Sequence, residues 1–323
     1  MTIILCAVPA ILLAALLLSG NYFYNLALNP RANRSLITDA PHNRLDPEPE
    51  PDPGEADAPL NREKWLDVTD YETAAIQSFD NLRLQSILVE NGRRMGIWVI
   101  LVHGYDGRAA DMGNRARWFF QMGYSVLMPD CRGHGNSEGS YIGMGWHDRL
   151  DILSWIRYIL AREEGARIIL YGVSMGASAI LMASGEALPP TVRAVIADCG
   201  YTSAAAAFTY QIKELFGLSP FPILNAASLV SRLRAGYGFS QASALRQLEK
   251  SVTPTLFIHG GRDTFVPTEM VYRLYDATTA EKEILVVPGA GHARANRKDP
   301  DAYWSAILRF LSRSLDMAFQ KAR

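Results

Sequence analysis

The sequence predicts an α/β protein: a mainly parallel sheet of about eight strands, helices on both faces and a small helical cap. Three observations carry that reading. Short, wholly apolar runs recur along the chain, as strands buried on both faces require. Helical segments separate most of these runs, and strands that alternate with helices fold into parallel sheets. One run, Arg167-Ile168-Ile169-Leu170-Tyr171, breaks directly into Gly172-Val173-Ser174-Met175-Gly176 and then into the small residues Ala177-Ser178-Ala179. That is a strand that stops, turns sharply and feeds a helix.

Taken in order, residues 74–79 and 83–90 flank the turn Asp80-Asn81 and read as an antiparallel hairpin. Residues 96–102, Gly-Ile-Trp-Val-Ile-Leu-Val, are apolar throughout. Residues 124–128, 168–171, 194–197, 255–258 and 284–287 repeat the pattern, with helices over 115–122 and 149–162 among the connections. The interval 199–250 breaks the alternation. It is too long for a simple crossover and too apolar for a plain loop. It reads as a cap over about 200–250, lying across the carboxyl edge of the sheet and lining a substrate pocket. The folded domain is expected to span 71–323.

The segments ahead of that domain differ from it. Residues 2–18 are almost wholly apolar, and Tyr22-Phe23-Tyr24 comes soon after. A helix crossing a bilayer needs about 20 apolar residues, and aromatic side chains favour the headgroup interface. Residues 1–30 therefore read as a single N-terminal membrane anchor. A cleaved signal peptide fits less well, because no Lys or Arg precedes the apolar run and no small-x-small cleavage site succeeds it. A buried core helix is expected to show a polar face, and none is visible in the run. Arg31, Arg34 and Arg44 lean towards a cytoplasmic domain, a bias too small to fix the side of the membrane. Residues 31–70 read as a spacer, with six prolines from Pro41 to Pro59 interleaved with acids from Asp46 to Asp57. Proline removes donors and like charges repel, so such a segment is extended.

Composition excludes some functions. Hydrophobic residues make up 49% and charged residues 20%, enough for a large core, and a net charge of −1 offers no nucleic-acid surface. Cys6, Cys131 and Cys199 are far apart, which supports neither a disulfide framework nor a metal motif. The histidines and acids lack ligand spacing such as His-x-x-x-His, so no metal and no cofactor are expected. Nothing in the sequence fixes an oligomeric state.

The chemistry centres on Ser174. A tight strand-to-helix turn needs glycine on either side of the serine and lifts its hydroxyl above the sheet. A hydroxyl at neutral pH needs a base, an acid to orient the base, and donors for an oxyanion. His292 lies between Gly291 and Ala293 just past the last predicted strand, and it is the candidate base. His42, His103, His134, His147 and His259 are the other histidines. Asp263, in the loop after residues 255–258, is the candidate acid, with Asp198 and Asp130 as rivals. The order Ser174, Asp263, His292 and their positions at strand ends favour this set. His103-Gly104-Tyr105 comes directly after a buried strand, so the Tyr105 and Met175 backbone amides are the candidate oxyanion donors. His103 itself reads as scaffold.

Taken together, His103-Gly104-Tyr105, the loop from Pro129 to Ser137, Gly172-Val173-Ser174-Met175-Gly176, His259-Gly260-Gly261-Arg262-Asp263 and Gly291-His292 resemble the α/β-hydrolases. The chain is most similar to bacterial membrane-anchored serine hydrolases of the esterase, lipase and peptidase group. The resemblance implies an eight-stranded α/β-hydrolase fold from about Glu72 onward, with Ser174 as nucleophile, His292 as general base and Asp263 orienting it. It makes the Pro129–Ser137 loop scaffold, so His134 and Asp130 are not catalytic by this likeness. The segments Met144 to Asp151 and Asp198 to Tyr201 also look like recurring pieces, without a chemical role that sequence assigns. The expected reaction is cleavage of a small-molecule carboxylic ester through an acyl-enzyme on Ser174. Amide or peptide cleavage by the same triad is the alternative, as is a non-catalytic binding protein on a hydrolase fold.

Overall fold

A computed structural model describes the backbone of residues 2–33, 35–38 and 65–321, and their side chains apart from those of 2–10, 13, 38 and 316–321. The proline- and acid-rich stretch 39–63, expected to be a spacer, lies outside the described residues. Eight strands form one sheet: β1 (Glu72–Gln77), β2 (Arg83–Val89), β3 (Ile97–Val102), β4 (Ser125–Pro129), β5 (Arg167–Val173), β6 (Val192–Asp198), β7 (Thr255–Gly260) and β8 (Lys282–Val287). Their spatial order is β1-β2-β4-β3-β5-β6-β7-β8. β1 pairs antiparallel with β2, and β2 with β4; every later pair is parallel. The sequence-predicted strands all form, each within a few residues of its expected limits.

The apolar runs do what two-sided burial demands. Along β3, Trp98, Ile100 and Val102 join the core on one face, while Ile97, Val99 and Leu101 join the core on the other. This is the two-residue period of a strand, with both phases filled by large side chains. One face is covered by α3 (Gly113–Gln121) and α11 (Pro300–Lys321), through Ala116, Phe119, Tyr303, Ile307 and Phe310. The other is covered by α4 (Asp148–Arg162), α5 (Met175–Ser184) and α9 (Glu269–Ala277). α5 leaves the serine turn and is buried along its whole length, which is why its sequence is small and apolar. The short helices are α2 (Ser35–Thr38), α8 (Ala244–Leu248) and α10 (Ala295–Lys298).

The interval between β6 and β7 folds into α6 (Ala204–Phe216), α7 (Ile223–Ala235) and α8. Ser203 caps α6 by accepting from the Ala206 amide, and Gly217 ends it in the left-handed conformation at φ 61°. A cap and a C-terminal glycine of this kind satisfy end groups that the helix leaves open.

The Met144–Asp151 segment is structural. Arg132 is fully buried and its guanidinium takes both Asp151 oxygens at 2.8 Å, with Asp80 and the Tyr141 hydroxyl on its remaining donors. A buried guanidinium is tolerated only when its donors are matched in this way. Asp148 accepts from the Gly145 amide, and Arg149 reaches Glu186.

The N-terminal helix departs from expectation. α1 runs Thr2–Leu28, yet no helix among the described residues is long and apolar enough to cross a membrane. The apolar run stops at Leu18, and Ser19, Gly20, Asn21 and Asn25 interrupt the remaining turns of the helix. Two of the three aromatics expected at a headgroup interface are engaged within the protein: Phe23 meets Phe216 edge to face at 5.3 Å, and Tyr24 is buried, while Tyr22 is exposed. Gly20, Tyr24 and Leu28 form a buried stripe four residues apart, the spacing of one helix face. A Cβ on Gly20 would lie 2.7 Å from Ala226, so the glycine permits close crossing of α1 over α7. The end of α1 is fastened by the Tyr105 hydroxyl, which donates to the Ala27 carbonyl at 2.6 Å, and by the Ile142 amide, which donates to the Leu28 carbonyl at 2.8 Å. Nothing among the described residues supports the membrane anchor expected over 1–30 or the localisation that went with it, and the last turns of α1 belong to the packed unit.

This predicts that Leu28→Ala, at a fully buried position, lowers unfolding free energy by about 2–5 kcal/mol. Urea titration checks it. A loss no larger than that of Leu18→Ala, at an exposed position of the same helix, would contradict the packing.

Candidate active site

β5 ends at Val173 and α5 begins at Met175, leaving Ser174 alone in the turn with φ 55° and ψ −115°. A non-glycine residue rarely takes such a conformation, and neighbours must hold it there. The Ser174 amide donates to the Asp198 carbonyl at the end of β6 (2.8 Å), and the Ser178 amide donates back to the Ser174 carbonyl (3.0 Å). The flanking glycines are required by space. A Cβ on Gly176 would lie 2.1 Å from the Val102 carbonyl oxygen, and one on Gly172 would lie 2.4 Å from that of Gly176.

Above this turn three side chains meet. His292, in the loop after β8, places Nε2 2.8 Å from Ser174 Oγ and Nδ1 2.7 Å from Asp263 Oδ2. A carboxylate only accepts, so Nδ1 carries the hydrogen and Nε2 is left to accept from the serine hydroxyl. Asp263, in the loop after β7, is buried, and its other oxygen accepts from the Phe265 and Val266 amides at 2.9 and 2.8 Å. Burial alone would raise this carboxyl, but the charge interaction with His292 and the hydrogen bonds of His259 and His292 outweigh it and hold it well below the usual carboxylate range. The Phe265 ring lies over His292 with centroids 4.8 Å apart.

The proposed oxyanion donors flank the serine. Gly104 runs against it, since a Cβ there would lie 3.4 Å from Ser174 Cβ, and Tyr105 is next in the chain. Met175 opens α5, whose first amides have no partner within the helix and carry its positive end.

The rival residues are accounted for. His103 is fully buried: Nδ1–H donates to the Gly104 carbonyl (2.7 Å) and Nε2 accepts from the Cys131 amide (3.0 Å). Asp130 accepts from the Ala109 and Asn136 amides and holds its loop. The Asp198 side chain is engaged elsewhere. It accepts from the Tyr303 hydroxyl at 2.9 Å, and Arg115 lies 3.8 Å away. Cys199 Sγ lies 4.0 Å from His292 Nε2, and burial pushes its thiol pKa well up, so it is a neutral thiol. Cys199, Asp263 and His292 are close enough to share a metal ion, but His292 already uses both ring nitrogens within the triad and the thiol is protonated, which fits metal binding poorly.

Two supports were not read from sequence. His259, at the end of β7, directs Nε2 to the Val266 carbonyl (2.9 Å) and lies 3.2 Å from Asp263 Oδ2. Its only signal was a histidine four residues before the acid, across Gly260-Gly261. Arg115 of α3 donates to the Tyr171 hydroxyl (2.9 Å) and to the Ala293 carbonyl and Asn296 Oδ1 (both 3.3 Å). Ala293 is next to His292 and has φ 56°, so Arg115 braces the strained backbone beside the base.

Comparison with known proteins identifies the family. Residues 99–306 match the model of the alpha/beta hydrolase family, well over half of the chain. The chain belongs to that family. Among relatives of this hydrolase, YqkD of Bacillus subtilis is 26% identical over 219 residues, covering 68% of this chain and 72% of YqkD. Among solved structures, the Pyrococcus furiosus esterase Pf2001 superposes with a TM-score of 0.61 at 25% identity, over 76% of this chain and 93% of the esterase. The acylaminoacyl peptidase of Pyrococcus horikoshii shares the fold, with a TM-score of 0.58 at 18% identity, over 77% of this chain and 43% of the peptidase.

Burial, with His134 nearby, depresses the His103 pKa from 6.5 to about 3. An unfolded chain takes up a proton there as pH falls through 6.5, whereas the folded hydrolase refuses it down to about 3. The contribution of His103 to stability is therefore complete above 6.5 and is lost progressively towards 3. Thermal unfolding measured across that interval should show Tm falling with acidification, and a shallower fall in His103→Gln. An equal slope in the two proteins would contradict the assignment.

Proposed function

We propose that this hydrolase is a serine carboxylesterase acylated on Ser174. The observation that carries the reading is the continuous hydrogen-bonded series from Ser174 Oγ through His292 to Asp263, at 2.8 and 2.7 Å. Each distance lies within proton-transfer reach.

In this mechanism His292 Nε2 takes the Ser174 proton as Oγ bonds to the ester carbonyl carbon. The carbonyl oxygen becomes an oxyanion that accepts from the Tyr105 and Met175 amides. The protonated imidazole is stabilised by the ionised Asp263, and its Nε2–H then goes to the alkoxide leaving group as the carbon–oxygen bond breaks. The acyl group stays on Oγ. Water next gives a proton to Nε2 and its oxygen bonds to the acyl carbon. Collapse releases the carboxylic acid and returns the proton to Ser174.

An ester needs less leaving-group activation than an amide. The esterase neighbour at 25% identity also supports this choice, whereas the peptidase neighbour is alike in fold alone. The substrate proposed is a small-molecule acyl ester, and no step calls on a cofactor.

Incubation with a fluorophosphonate should label the native protein, and Ser174→Ala should abolish labelling. Labelling that survives in Ser174→Ala would sink the proposal. A non-catalytic binding protein predicts no labelling at all, and a dedicated peptidase predicts faster cleavage of aminoacyl anilides than of p-nitrophenyl esters. Asp263→Asn should reduce kcat by about 10⁴ while the fold persists, because the imidazole loses control of its tautomer. A loss of that size in Asp198→Asn, with Asp263→Asn near wild type, would contradict the assignment of the acid.

A further inference from the structure

A cleft of about 480 Å³ opens where β6, β7 and β8 begin, at the end of the sheet away from Ser174. Its volume is within the roughly 300–1,000 Å³ usual for small-ligand sites. Pro190, Val252 and Pro254 give it an apolar wall, and Arg193 and Lys250 bring two cations to it. Open α/β sheets take their ligands at the carboxyl ends of the strands, the end that carries the triad, so this cleft is not part of the site described above.

An irregularity in the sheet brings Arg193 there. Ile168 of β5 faces Val192 of β6, but Ile169 faces Ala194, so Arg193 is one residue too many for the ladder. Val192 joins the core on one face and Ala194 the core on the other, although residues two apart in an uninterrupted strand share a face. An inserted residue of this kind re-aims its side chain. The Arg193 side chain lines the cleft, its Nε is buried without a hydrogen-bond partner, and it forms no ion pair among the described residues. A charged donor taken out of water without an acceptor is costly. A carboxylate meeting the guanidinium edge through Nε and one Nη supplies two acceptors in the geometry that the group favours.

The other charges in the wall favour a monoanion. Glu186 is committed to Arg149 at 2.7 Å and to the Gln247 amide at 3.0 Å. Lys250 donates to Gln247 Oε1 at 3.2 Å and keeps its charge, and Glu281 stands exposed at the rim. Arg193 and Lys250 thus exceed Glu281 by a single positive charge. We infer that the cleft binds a small amphipathic carboxylate, with its head on Arg193 and its apolar body against Pro190, Val252 and Pro254. Burial of that body against the wall removes apolar surface from water. The two sites lie at opposite ends of one strand, since β6 begins beside Arg193 and ends at Asp198, whose carbonyl holds the Ser174 amide. Binding in the cleft is independent of the reaction assigned to Ser174.

The test is a ligand-observed NMR titration of the full-length chain with hexanoate. Wild type and Ser174→Ala should bind it alike. Arg193→Gln should weaken binding about tenfold or more, the loss expected when a charged hydrogen-bonded pair is removed. Arg193→Lys, which keeps the charge without the fork, should fall between. Hexanamide, of equal length and uncharged, should bind the wild type no better than hexanoate binds Arg193→Gln. Lys250→Gln, at an exposed position, should weaken hexanoate about two- to fivefold and gives a second reading if Arg193→Gln does not fold. An unchanged titration in Arg193→Gln or, where that variant does not fold, in Lys250→Gln overturns the inference. So does binding lost in Ser174→Ala, hexanamide bound as tightly as hexanoate, or a wild type that binds no hexanoate. Inorganic phosphate bound as tightly as hexanoate would show an anion site with no place for an apolar body, and would overturn the carboxylate class.

Discussion

The site depends on a single backbone constraint, the conformation of Ser174 at φ 55°. A side chain in that region costs on the order of 1–3 kcal/mol, which the surrounding contacts must offset. The offset comes from three neighbouring strands. β5 delivers the residue, β6 accepts its amide through the Asp198 carbonyl, and the end of β3 packs so closely that only glycine fits at position 176. Parallel strands bring their carboxyl ends to one edge, so the same arrangement also delivers the loops that carry Tyr105, Asp263 and His292. The strain is local and the sheet that sustains it is buried on both faces, which keeps the hydroxyl fixed.

Support for His292, the candidate base, is distributed in a similar way. Asp263 is held by two backbone amides and by His259, so its carboxylate faces His292 in one orientation. On the opposite side, Arg115 grips the Ala293 carbonyl and links it through Tyr171 to the core. Asp198 belongs to this second assembly. Its backbone carbonyl holds the serine turn, while its side chain accepts from Tyr303 and offsets the charge of Arg115. That division of labour explains why an acid at the end of β6 has the look of a triad member in sequence and is not part of the triad geometry.

Much of this was legible from residue order. The glycines around Ser174, the two-sided apolar strands, and an acid and a histidine after later strands are local signals, and each has a local physical cause. The buried assembly of Arg115, Tyr171, Asp198 and Tyr303 was not legible, because its members come from four elements and nothing local marks them as neighbours. The packing of the last turns of α1 escaped the sequence for a different reason. Its first part is apolar on every side, which suits lipid as well as protein. The signal that discriminates lies further on, where Gly20, Tyr24 and Leu28 line one face and Asn21 and Asn25 fall outside it. A glycine in such a stripe marks close helix approach, here to Ala226. Given that stripe, the last turns of α1 join the packed unit, and the Tyr105 hydroxyl ties them to the loop after β3.

The most direct test of the account is a crystal structure of the protein after reaction with a fluorophosphonate. The account predicts phosphorus bonded to Ser174 Oγ, with the phosphoryl oxygen accepting from the Tyr105 and Met175 amides and His292 still joined to Asp263. Phosphorus on another residue, or a phosphoryl oxygen directed away from both amides, would contradict it.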